Sequence, residues 1–298
     1  MDTLLYQCPI DLPPSCELSP GQGHDGLPSC CSEGDNGLFV QSQFWMGTNL
    51  KDLHDANPNV LGQKVFSVVP PKHENENENG NGNVGINGTK SKNGFTIHGL
   101  WPDKCTGVDF DAFCRQDLFI DDVFHLLTDN REANDSKARL QLFHDMSLYW
   151  PNVFRPGQDE WLWIHEFNKH GTCMRTIRPE CYGGDKKRAV VDYFNVTVDL
   201  FKKLDSFKFL EDRGIVPSYE RNYTKQELED ALSAGFGGKR VFIDCDPKTN
   251  TLKEVWYFNH VKGPLARRQF VPVGVDELLK QPESKCPKSG IWYYPKLK

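Results

Sequence analysis

Hydrophobic and polar positions are spread unevenly along this chain. Residues 1–37 are rich in Pro, Gly, Ser and Cys without any period, which predicts a loop-rich segment held by disulfides. LFVQSQFW at 38–45 carries β-favouring residues in partial alternation and predicts a strand. From about residue 72 to 94 the chain is almost pure Asn, Glu and Gly. Such a run cannot bury enough apolar surface to offset its ordering entropy, so a disordered surface insertion is expected there. FTIHGLW at 95–101, bounded by Gly94 and Pro102, predicts a second strand that ends in a turn, with Thr96 and Leu100 on the face of His98.

Helical periodicity appears at 117–127 and again at 137–149, where Leu140, Phe143 and the Met146–Tyr149 group share a face and Pro151 ends the pattern. Another helix is predicted at about 158–170. A long amphipathic one covers about 186–207, with Val190, Phe194, Val198, Phe201 and Leu204 on one stripe. Thr224, with Glu227 three residues on, has the form of a capping box opening a helix to about Ser233. RVFID and TLKEVWYF flank the turn at 247–250 and predict a hairpin. Strands and helices mix without βαβ alternation or internal repeat, so the expected class is α+β.

Composition narrows the class of function. With 298 residues, 38% hydrophobic and 26% charged, the chain suits one elaborated domain over 1–298. No run of 18 apolar residues exists, so no helical membrane span is expected. The 41 acidic and 35 basic residues leave a net charge of −6, and no global field draws the protein onto nucleic acid; a local site must do so. The ten cysteines include no CxxC pair, which favours five disulfides and an oxidising compartment. Sequons at Asn87, Asn134, Asn195 and Asn222 point the same way. The segment after Met1 has neither the basic nor the apolar region of a signal peptide, so a mature form, or a gene model lacking its first exon, is expected.

Reactive groups are densest in WLWIHEFNKHGTC at 161–173. At about 100° per residue with His165 at zero, Lys169 lies at about 40°, Glu166 at about 100° and His170 at about 140°. A solvated helix face would account for these charges alone. Trp161, Trp163 and Phe167 in the same segment argue for a docked helix, on which neighbouring charges perturb both histidines. HE followed by a second His also invites a zinc reading. The histidines of HEFNKH are five apart, however, turned about 140° from each other where a shared ion wants about 40°. No metal or other cofactor is expected. His98, in FTIHGLWPD, would by itself pass for a structural histidine. Two histidines on different rigid elements, with a lysine and a carboxylate, are what in-line transfer from a 2′-hydroxyl needs: one takes the hydroxyl proton and the other protonates the leaving 5′-oxygen.

FTIHGLWPDKC at 95–105 and WIHEFNKHGTC at 163–173 resemble the two signature blocks of the ribonuclease T2 family, acid endoribonucleases of secreted and vacuolar compartments. SCC at 29–31, LFVQSQFW at 38–45, YWPN at 149–152 and EVWYF at 254–258 extend the likeness, and the cysteine pattern resembles the fungal branch. The resemblance implies a central antiparallel sheet packed with several helices. It makes His98 the general acid, His170 the general base, His165 a phosphate ligand, and Glu166 and Lys169 stabilisers of the pentacoordinate transition state. Trp101 would stack on the base 5′ to the cut and Asp103 would hydrogen-bond it. Fungal relatives imply disulfides Cys8–Cys31, Cys16–Cys105, Cys30–Cys181, Cys114–Cys173 and Cys245–Cys286. Leu162 and Ile164 replace an aromatic and an acidic residue expected near the second block, which leaves the pocket for the 3′ base unassigned.

The expected activity is therefore cleavage of single-stranded RNA, and not DNA, with low base specificity, through a 2′,3′-cyclic phosphate to 3′-phosphate ends. A monomer, secreted or vacuolar, is expected. The competing readings are a catalytically idle secreted binding protein of the same fold and a metal-dependent hydrolase.

Overall fold

Strand β1, Leu38–Phe44, is buried at every position because it has a partner on both edges and apolar layers on both faces. The computed structural model describes residues 7–18, 29–47, 94–129 and 136–296. The expected insertion up to residue 93, with Asn87, and also Asn134 lie outside them. On one side β1 pairs with β2, Thr96–Asp103, and on the other with β5, Leu252–Val261. Successive parts of β5 then pair with β4, Phe242–Cys245, and β6, Phe270–Val273. Every pairing is antiparallel. A second sheet joins β3, Asn222–Tyr223, to β7, Ile291–Trp292.

Alternation gives the main sheet two different faces. Phe39, Trp45, Ile97, Leu100, Val255 and Tyr257 join the helices in the main core, whereas Leu38, Val40 and Phe258 form a smaller cluster with Val273 and Val275, onto which Trp101 and Trp256 pack. The helices are α1, Val123–Thr128; α2, Ser136–Tyr149; α3, Asp159–Lys169; α4, Lys186–Lys203; α5, Ser206–Glu211; and α6, Lys225–Gly235. The Val190 to Leu204 stripe is buried throughout. Thr224 and Glu227 form the reciprocal capping box at the start of α6. The hairpin at the predicted turn is β4–β5, with Asn250 in the left-handed region at φ 56°.

Several boundaries differ from the pattern. The helix expected at 117–127 is a 3-10 turn at Gln116–Leu118 followed by α1, because the Asp122 side chain caps the His125 N–H and restarts the chain. The 186–207 helix ends at Lys203, and Asp205 caps α5 in the same way. Strand β2 runs through Pro102 to Asp103; as an edge strand of the described sheet it tolerates a residue without an N–H. Leu140 is 42% exposed, whereas Met146 of the predicted face is buried, with Phe143 and Tyr149 packed against the core, and α2 also buries Arg139 and Leu142. The Arg139 guanidinium donates to the carbonyls of Leu126 and Asp129, which draws the Arg139 side of the helix inward and leaves Leu140 at the surface.

All ten cysteines are paired: Cys8–Cys31, Cys16–Cys105, Cys30–Cys181, Cys114–Cys173 and Cys245–Cys286. Three of the bonds tie the segment before β1 to itself, to the end of β2 and to the loop before α4. Asn222 is exposed on β3, and Asn195 is half-buried on α4.

Candidate active site

One irregularity in the sheet builds the site. Ser42 opposes Gly99 and Gln43 opposes Ile97, so His98 is an extra residue in β2, a β-bulge. Regular alternation would put His98 with Leu100 and turn Trp101 to the other face. With the bulge, Leu100 joins Ile97 in the main core, and His98 and Trp101 share a face with ring centroids 4.8 Å apart. Leu100 therefore lies on the opposite face from His98, not beside it as strict alternation predicts.

Helix α3 closes onto this face over Gly99. A Cβ there would lie 1.9 Å from Glu166 Oε2 and 2.5 Å from Trp101 Nε1, so only glycine admits the approach. Glu166, 1% exposed by burial of the whole residue, accepts a 2.8 Å hydrogen bond from Trp101 Nε1 at Oε2, and its Oε1 stands 3.8 Å from His98 Nε2. Burial pushes the Glu166 carboxyl above its ordinary range, against the opposing pull of His98, the Trp101 bond and Lys169.

His170 follows α3 directly, its N–H donating to the Glu166 carbonyl at 3.0 Å. Its ring, also deeply buried, stacks on Trp101 at 5.3 Å and meets Phe110 at 5.5 Å, and its Nδ1 has no hydrogen-bond partner. Burial first, then the charges of Lys169, His98 and His165, push this imidazole down to about 2, so it stays neutral through the mildly acidic range. His165 lies under Trp161, the rings nearly parallel at 5.5 Å; burial, with Lys169 and His98, lowers it as well. Lys169 Nζ sits 5.5 Å from the Phe110 ring centre. Asp103, 3% exposed, keeps Oδ1 unpaired, and burial raises its carboxyl to about 7.

The fold thus brings His98, Trp101, Glu166 and His170 into direct contact, with His165 and Lys169 on the same helix end and Asp103 two residues beyond Trp101. The indole of Trp101 is ringed by His98, His170 and Trp256. Leu162 and Ile164 turn into the core rather than the cleft. Trp161, 49% exposed, and the exposed Phe110, Phe113 and Phe154 rim the site instead, Arg155 lying over the Trp161 ring at 4.7 Å. Sequence reasoning also missed what backs His98: Phe44 stacked on it at 4.0 Å, and Ser42 and Glu254 at its Nδ1. A carboxylate amid the apolar residues of TLKEVWYF was the available signal. Among the described residues no group of three or more His, Cys, Asp or Glu is placed to hold a metal ion.

The model of the ribonuclease T2 family matches residues 36–273. The chain is 42% identical over 299 residues to a ribonuclease T2-like protein of Saccharomyces cerevisiae, covering 97% of this chain and 60% of that one. It is 35% identical over 290 residues to the ribonuclease T2 of Aspergillus oryzae, covering 97% and 84%. The chain spans about 60% of the length of the yeast relatives it matches. Among solved structures it is similar to Actibind, a T2 ribonuclease, with a TM-score of 0.72, 31% identity and both chains fully covered. The bulge histidine and the buried helix-end cluster accordingly stand in a fold whose lineage is known: this chain belongs to the ribonuclease T2 family.

Proposed function

We propose that this chain is an endoribonuclease that cleaves single-stranded RNA by metal-independent transesterification. The observation that carries the reading is the meeting of two imidazoles from different elements, bulged β2 and the end of α3, around Trp101 and Glu166. His170, neutral at acidic pH, takes the 2′-hydroxyl proton as the oxygen attacks phosphorus. The phosphorus to 5′-oxygen bond breaks, and His98 supplies the proton to the leaving oxygen. Lys169 and His165 offset charge growing on the phosphoryl oxygens, and Glu166, protonated or charged according to pH, holds Trp101 and faces His98. The roles of His98 and His170 reverse when water opens the 2′,3′-cyclic phosphate to a 3′-phosphate.

DNA, lacking the internal nucleophile, is not cut. The base 5′ to the cut meets Trp101 and Asp103, and stacking of this kind accepts every base, which supports low specificity. The exposed rings of Trp161 and Phe154 offer the 3′ base the surface that Leu162 and Ile164 do not. A monomer carries every group this reading uses, and five disulfides suit a secretory route to the exterior or the vacuole.

The test is cleavage of dinucleoside phosphates and single-stranded RNA at mildly acidic pH with EDTA present, comparing the oxidised protein with His98→Phe and His170→Phe. Cyclic products from the native protein and none from either variant are expected. An inactive native protein refutes the reading and leaves a binding protein of the same fold.

A further inference from the structure

Glu254 is an acid placed where an interior strand would ordinarily carry an apolar side chain. It lies on β5, 7% exposed, on the sheet face that carries His98. Its Oε2 accepts from Trp256 Nε1 at 2.7 Å and from Ser42 Oγ at 3.5 Å, and stands 3.8 Å from His98 Nδ1. Ser42 Oγ is itself 3.5 Å from that same nitrogen. Register explains the convergence. Ser42 faces Gly99 on one side and Trp256 on the other, Phe44 faces Glu254, and the bulge sets His98 between these rows. Phe44 then stacks flat on the imidazole and leaves its ring little freedom.

The two ring nitrogens of His98 consequently meet different surroundings. Nε2 looks toward Glu166 on α3, whereas Nδ1 looks across β1 to Ser42 and Glu254. Other charges around Glu254 are Lys253 on its own strand, 3.7 Å from Oε1, and Glu166 on α3. Burial pushes the Glu254 carboxyl up, but the neighbouring His98, the Trp256 bond and Lys253 together hold it below the ordinary range. It is therefore ionised where Glu166 resists ionisation.

We propose that Glu254 is a positioning residue for His98: seconded by Ser42, it accepts the Nδ1 proton, fixing the tautomer and ring orientation in which Nε2 alone exchanges protons with the substrate. The inference rests on the acid role proposed for His98. When Nε2 gives its proton to the 5′-oxygen, the neutral ring keeps Nδ1–H bound to Glu254. That same tautomer has a free Nε2 lone pair with which to activate water against the cyclic phosphate. Separations of 3.5–3.8 Å in the free protein close to hydrogen-bond length once the imidazole is charged against substrate.

The experiment compares two substrates that share the nucleoside and phosphate and differ in the leaving group. A dinucleoside phosphate must have its 5′-oxygen protonated, whereas a nucleoside 3′-(4-nitrophenyl phosphate) expels nitrophenolate without help. Glu254→Gln keeps the shape and an oxygen for the Trp256 and Ser42 donors, and its melting temperature and near-UV dichroism are checked against the native protein. The expected result is a kcat on the dinucleoside phosphate lowered about 10- to 100-fold with KM little changed, and an aryl ester rate within about 3-fold of native. Ser42→Ala follows in the same direction with a smaller loss. Adding Glu254→Gln to His98→Ala costs nothing further. Equal losses on both substrates, or none on either, overturn the proposal. His98→Ala is the control for the acid role: if it shows no dependence on the leaving group, that role falls and Glu254 falls with it. If His98→Ala is selective and Glu254→Gln is not, only the positioning role is refuted.

Discussion

Asp103 ties the stability of the fold to pH in a direction opposite to that of most carboxylates. Its side chain is buried at the end of β2, Oδ1 finds no hydrogen-bond partner, and burial raises the acid from 3.8 to about 7 despite the opposing Asp109 N–H. A raised acid holds its proton in the folded state after the unfolded chain has lost it. Its stabilisation is therefore fully present below pH 3.8, falls as pH rises, and is gone above pH 7. At about 1.4 kcal/mol for each tenfold change in proton affinity, the span is worth about 4 kcal/mol. Asp103→Asn keeps the shape and cannot titrate. Urea unfolding with the disulfides intact, measured from pH 4 to pH 7.5, should show the native protein losing about 4 kcal/mol more over the interval than the variant. Parallel pH dependences would refute the reasoning and mean that Asp103 is ionised and solvated in the folded protein. Asparagine, like a neutral carboxyl, offers both a donor and an acceptor, so Asp103→Asn should keep the native base preference at acidic pH and Asp103→Ala should lose it.

Gly99→Ala forces a methyl group into the space of Glu166 Oε2 and Trp101 Nε1; a loss of about 1–3 kcal/mol on denaturation and a larger fall in kcat than in KM are expected, and native kinetics would show that α3 yields freely. Removing the Cys245–Cys286 bond by the double serine substitution frees a loop with a separation of 41 and no other cysteine inside it, so a stability loss of about 4 kcal/mol should appear in the urea midpoint with activity below the transition retained. Deleting about residues 73–92 should leave RNA cleavage within about 3-fold of native, since that composition has little apolar surface to bury; a large loss in the dinucleotide assay would place the segment's contribution at the cleft.

What the sequence disclosed and what it withheld divide along a physical line. Local signals held: the apolar stripe of α4, the Thr224 and Glu227 capping box, and the hairpin turn at Asn250 depend on neighbours within a few residues. Helix α3 carried its own geometry, so His165, Glu166, Lys169 and His170 could be seen to share a helix end before any fold was known. Errors arose where polar side chains competed for the backbone. Leu140 faces solvent because Arg139 is held by carbonyls of the preceding segment, and the long 186–207 pattern breaks because Asp205 caps a new helix in place of continuing the old one. Neither competitor shows in the periodicity of the segment itself.

The site depends most on the feature least visible in sequence. A bulge is a property of two strands: His98 is supernumerary only because Ser42 and Gln43 pair with its neighbours. FTIHGLW read by itself obeys alternation and assigns His98 the wrong companions. Once the extra residue is inserted, one displacement has three consequences. His98 and Trp101 come to the same face, Leu100 is released into the core, and Gly99 is left opposite α3, where the absence of a side chain lets Glu166 reach the Trp101 indole. The glycine and the bulge are thus coupled requirements, since moving either by one position would bring a side chain against the helix or turn the imidazole into the core. The same displacement sets Nδ1 of His98 toward Ser42 and Glu254 on the two strands beyond. A histidine that looked structural in its own segment becomes, by the register of three strands, a ring with an acidic side chain near each nitrogen.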